Sequence, residues 1–155
     1  TGSSGSVAIS TGTLTSVTGT LDDGTGNDTI ALTLAKTGVD ISSANTTDVD
    51  SIALASGISA TMTIAQHALI TSAAGTNTVT LSNAGTVSGN AAVEAYVLAA
   101  AGNSTFTLGA TGQNIATGSA GTDTIVVGTL TATGTFYHCF WRYCVFGYWC
   151  RYLCC

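Results

Sequence analysis

The chain has 155 residues, a net charge of −5 and no proline, and Thr (29), Ala (22), Gly (19) and Ser (15) supply 85 of its positions. Side chains this small cannot fill a thick globular core; they suit a thin structure whose backbone stacks closely on itself. Residues 1–135 hold all eight acidic groups against Lys36 alone, which argues against a nucleic-acid partner, and no apolar run reaches the length of a membrane span.

The chain opens on Thr1 rather than Met, so it is expected to be a mature chain or a piece of a longer repeat array. Between Thr1 and Leu21 the apolar positions Val7, Ile9, Leu14, Val17 and Leu21 alternate with Thr, Ser and Gly. That period, near two, predicts short strands between glycine turns. Asp22-Asp-Gly-Thr-Gly-Asn-Asp28 is a turn cluster, and Ile30, Leu32 and Leu34 then mark a strand over 29–35. The polar stretch 37–48 is expected to be a loop with one helical turn, and 49–55 the next strand. Thr63-Ile-Ala-Gln66 has the form of a capping box: the Thr hydroxyl accepts a backbone N–H and the Gln side chain reaches back. It predicts a helix running to Ala73 or Ala74, with Gly75 as its left-handed stop.

One stretch recurs. Gly75-Thr-Asn-Thr-Val-Thr-Leu81 returns, at a shift of 27, as Gly102-Asn-Ser-Thr-Phe-Thr-Leu108. Looser copies stand at 26–32, 48–54 and 121–127. Each is a turn followed by a strand with alternating apolar positions. Repeats of this length mark a solenoid, in which every coil buries its apolar edge against the next. The predicted fold is therefore mainly β: a parallel β-solenoid with a coil of about 27 residues and one or two short helices. Leu54, Leu81 and Leu108 would form one inward ladder, beside Ile52, Val79 and Phe106. Past residue 112 only strands are expected.

Positions 1–135 read as a single repeat domain. Residues 136–155 break from it, holding all five Cys, both Trp, both Arg and nine of the eleven aromatics. Read one base later, Tyr, Cys, Phe and Trp codons turn into Thr, Ile, Ala, Val, Ser and Gly, the composition of the preceding chain. The tail is accordingly expected to be a frameshifted continuation. The odd number of cysteines without Cys-x-x-Cys spacing argues against a disulfide knot or a metal site.

Asp23-Gly-Thr-Gly-Asn-Asp-Thr-Ile-Ala31 and Gly118-Ser-Ala-Gly-Thr-Asp-Thr-Ile-Val126 resemble the nonapeptide of RTX (haemolysin-type calcium-binding) repeats. In that family the glycine-rich half turns, the Asp carboxylate binds calcium between stacked turns, and the apolar residue faces the core. The resemblance implies calcium as a cofactor, with Asp22, Asp23, Asp28 and Asp123 as metal ligands. The family's nonapeptides stand in tandem, whereas these two stand apart, so a second reading stays open in which Asp28 and Asp123 only shape tight turns. The resemblance also implies a secreted or bacterial cell-surface protein whose partners are calcium, neighbouring repeats and surface components.

The pairs Thr13/Thr15, Thr61/Thr63, Thr78/Thr80, Thr105/Thr107 and Thr131/Thr133 resemble the flat threonine ladders of ice-binding β-solenoids. Thr is also simply a good residue for an exposed strand face. His67, with no second His in the body, is expected at a solvated helix position. Neither a nucleophile elbow nor a phosphate-binding loop is present, so no enzymatic activity is expected. The combined expectation is a structural or adhesin-like extracellular segment, stabilised by calcium, with ice or surface binding as the alternative.

Overall fold

The computed structural model describes residues 5–21, 29–117, 120–127 and 129. Its strands are β1 (Ser6–Ser10), β2 (Gly19–Thr20), β3 (Thr29–Leu34), β4 (Val39–Asp40), β5 (Ala44–Asn45), β6 (Val49–Leu54) and β7 (Ser59–Met62). After a one-turn helix α1 (Ile64–His67) come β8 (Ile70–Ala73), β9 (Thr78–Leu81), β10 (Thr86–Ser88), β11 (Ala95–Val97), β12 (Thr105–Thr107), β13 (Asn114–Ala116) and β14 (Thr124–Val126). Every strand pairing is parallel. The chain is a parallel β-solenoid of about six turns, as its repeats predict.

Three walls enclose the core. One is the sheet β1-β3-β6-β8 and a second is β4-β7-β9-β11-β13. The third begins as β2-β5, is interrupted by α1, and resumes as β10-β12-β14. Asn83 Oδ1 accepts the Ile64 N–H at 2.9 Å, which seats the chain leading into β10 above the helix. Alternation does the sorting. In β3, Ile30, Leu32 and Leu34 are buried while Thr29 and Ala31 face solvent. In β9 and β12 the buried positions are Val79, Leu81 and Phe106. The largest buried side chains are Tyr96 and Phe106, their rings 4.6 Å apart.

The coil is shorter than the repeat suggests. Thr86 opposes Thr105 and Thr105 opposes Thr124, so the offset from one turn to the next is 19 there; elsewhere it ranges from 17 (Thr78 to Ala95) to 25 (Gly19 to Ala44). A shift of 27 is one coil plus one wall. It carries Val79 in the second wall to Phe106 in the third. Leu54, Leu81 and Leu108 therefore do not form one ladder: Leu54 stacks on Leu34, Leu81 on Met62, and the Leu108 N–H donates to Val126.

Two further expectations change. The stretch 37–48 is not a loop, since it contains β4 and β5 and buries Val39, Ile41 and Ala44. The helix ends at His67, because β-branched Ile70 and Thr71 favour extended backbone and Ile70 pairs with Ile52. Its capping box is present: Gln66 N–H donates to Thr63 Oγ1 at 3.2 Å and Thr63 N–H to Gln66 Oε1 at 2.8 Å. Gly75 does adopt a left-handed φ of +68°, but after a strand rather than a helix. The segment at 90–93 is a turn closed by Val93 N–H to the Asn90 carbonyl. Past residue 112, β13 and β14 are the elements described. The tail 136–155 lies outside the described residues.

Candidate functional site

At the corners of a solenoid a backbone N–H leaves the strand ladder and needs another acceptor. The third residue of the recurring heptapeptide supplies it. Asp50 Oδ2 accepts from Ile30 N–H at 2.8 Å, Asn77 Oδ1 from Ile58 N–H at 3.0 Å, and Asp123 Oδ1 from Ser104 N–H at 2.9 Å. Each bond reaches back one coil. Asn77 also donates from Nδ2 to the Ala74 carbonyl, and its own N–H is taken by Glu94 Oε2 at 2.7 Å. Buried Asn77 thus joins its neighbour coils on both sides.

The chain's two glutamines do matching work. Gln66 Nε2 donates to the carbonyls of Ile41 and Ala44 at 2.8 and 2.9 Å. Gln113 Nε2 donates to those of Asn90 and Val93, both at 2.8 Å. In each case the two acceptors are the ends of a tight turn one coil below, closed by its own N–H to C=O bond. The Oε1 atoms accept from Thr63 N–H, and from Gly109 and Ala110 N–H. Both glutamines are 2% exposed, and every polar atom of their amides is engaged, as burial requires. The capping box marks Gln66 in the sequence; nothing there marks Gln113.

His67 is a correction: it is buried at 5% exposure rather than solvated. Its Nε2 lies 3.0 Å from Tyr96 Oη, and the rings meet edge-on with centroids 5.5 Å apart. Tyr96 Oη accepts the Asn90 N–H at 2.7 Å. Burial lowers the His67 pKa below its ordinary 6.5, because the charged form loses its hydration. Burial also raises Tyr96 well above the usual tyrosine range; the Glu94 charge adds to this and the bond from Asn90 opposes it. A shallow groove of about 360 Å³ runs beside the cluster between α1 and β10, lined by His67, Ile64, Val87 and Asn90 among others.

Of the four expected metal ligands, Asp22, Asp23 and Asp28 lie outside the described residues. Asp123 is half-buried and turned onto the coil below. Among the described residues no three His, Cys, Asp or Glu side chains converge.

The threonine pairs also resolve differently. Thr78/Thr80 and Thr105/Thr107 belong to different walls. On the third wall, however, Thr86, Thr105 and Thr124 stand in register, flanked by Ser88, Thr107 and Val126, over buried Val87 and Phe106 and half-buried Ile125. On the second wall Thr61 and Thr80 are in register above Ser59 and Thr78, but Ala95 and Val97 follow.

These features define a class, the corner-capped parallel β-solenoid. Comparison with protein-family models, with curated proteins and with solved structures finds no match for the chain.

Proposed function

We propose that the chain is a structural, adhesin-like segment of an extracellular bacterial repeat protein, with calcium bound through Asp22, Asp23 and Asp28. The observation that carries the scaffold part is the coil-to-coil interlock: Asp50, Asn77 and Asp123 each bond the backbone of the preceding coil. A stack stitched in this way transmits load from coil to coil and resists local opening. The RTX-like spacing of Asp22, Asp23 and Asp28 supports the calcium part. Limited proteolysis with proteinase K tests the scaffold reading. A protease-resistant fragment containing the described coils is expected, and rapid degradation throughout would overturn the reading. Thermal unfolding with calcium and with chelator tests the ion: binding raises Tm, and superimposable curves would sink calcium dependence.

The in-register column Thr86–Thr105–Thr124 favours a second reading, a hydroxyl-and-methyl face that orders water or binds ice. An ice-recrystallisation assay on the protein and on Thr105→Tyr decides it. Inhibition lost on substitution supports the face; no inhibition by the unaltered chain removes the reading.

A further inference from the structure

We propose that His67, Tyr96 and Asn90 form an acid-sensitive latch that holds helix α1 to the coil above it, and that protonation of His67 opens this joint. The hydrogen-bond geometry assigns the protons. Tyr96 Oη already accepts from Asn90 N–H at 2.7 Å, and the other acceptor within its reach, the Asn90 carbonyl, is 3.5 Å away. The Tyr96 hydroxyl therefore donates to His67 Nε2 at 3.0 Å, which makes His67 neutral with its proton on Nδ1. A protonated imidazole offers no lone pair at Nε2, so the bond must invert: Nε2–H donates to Tyr96 Oη, the hydroxyl proton is left with the Asn90 carbonyl 3.5 Å away, and the joint between α1 and β11 is weakened around a buried positive charge.

Among the described residues no charged group offsets the cost of burying a charge at His67. Helix α1, strands β7, β8, β10 and β12, and residues 89–93 carry no other ionisable side chain. From β11 the facing titratable group is Tyr96 itself. Glu94, just ahead of that strand, is exposed and its carboxylate holds the Asn77 N–H. The groove between α1 and β10 gives water a route to the opened joint.

The sign follows from the lowered pKa of His67. Stability from the latch is complete above the unfolded-state value near 6.5 and is lost as pH falls through the window beneath it. One proton is involved, so the opening equilibrium rises by at most about tenfold per pH unit.

Nitrogen-15 NMR of the full chain between pH 7.5 and 5 tests this, with His138 giving a separate signal. Expected are an Nδ1–H tautomer for His67, titration below 6.5, and Asn90 amide exchange that accelerates on acidification relative to unlatched amides. An Nε2–H tautomer, or exchange at Asn90 that follows intrinsic chemistry alone, would overturn the proposal. Tyr96→Phe should move the His67 titration up toward its ordinary value, and an unchanged midpoint would count against a donated hydroxyl proton. In His67→Gln the Tm should stay level across the same window where the parent chain declines, and parallel declines would contradict the latch. Should that variant not fold, the parent's own titration and exchange decide.

Discussion

The two halves of the solenoid use nearly the same length of chain per turn to build different cross-sections. From β3 to β10 each turn lays down an element on all three walls, and its core is aliphatic: Ile30, Leu32, Leu34, Ile52, Leu54 and Met62. From β10 onward the strands alternate between two walls, the remaining side is closed by turns, and Tyr96 and Phe106 fill the interior. Backbone approaches closely at those turns: a Cβ on Gly109 would collide with the Gly89 carbonyl. Strand pairing sets the rise of the stack, while side-chain size and glycine placement shape its cross-section. The latch at His67 and Tyr96 bridges the change from one cross-section to the other.

The largest expected effects lie in the cores. Phe106→Ala should cost about 4 kcal/mol and Leu32→Ala about 3 kcal/mol, since both leave cavities in a close-packed interior. Urea unfolding measures both, and a loss below about 1 kcal/mol for Phe106 would show that the aromatic half collapses freely around the void. Next come the glutamine clamps. Gln66→Ala and Gln113→Ala should each cost about 2–3 kcal/mol by stranding two buried carbonyls. Their similarity is the point: a marked inequality in the same titration would show that only one half depends on its clamp. Removing a corner acceptor is smaller. Asp123→Ala should cost about 1 kcal/mol, whereas Asp123→Asn, which keeps an oxygen for the Ser104 N–H, should stay within about 0.5 kcal/mol. Smallest of all, Thr105→Val on the outward column should change stability by no more than about 0.5 kcal/mol. A larger loss by thermal unfolding would mean that the outer face, too, holds the coils together.

Much of this was readable in the residues. The alternation of Ile30, Leu32 and Leu34, and of Val79 and Leu81, announces strands with one buried face, and self-similarity announces stacking. The coil length was not readable, because every wall asks for the same turn-then-alternation pattern. A match such as Val79 to Phe106 therefore cannot tell a step of one coil from a step of one coil and one wall. Strands of two residues, such as Val39–Asp40, are too short to show a period. Asp123 could be flagged as a special turn residue, but its partner, Ser104, is local only after folding. Gln113 was invisible for the same reason. The helix ran too long in expectation because apolar Leu69 and Ile70 extend a helical pattern that pairing with β6 overrides.

The offset between coils defines this fold, and proton–proton contacts measured by solution NMR read it directly. In the register of the solenoid, backbone contacts link Val87 to Phe106 to Ile125, and, on the second wall, Val79 to Tyr96 to Ile115. Finding both series is the predicted result. Backbone contacts joining Val79 to Phe106 across a single pair of strands would restore the longer coil that the repeat suggests and contradict the structure described above.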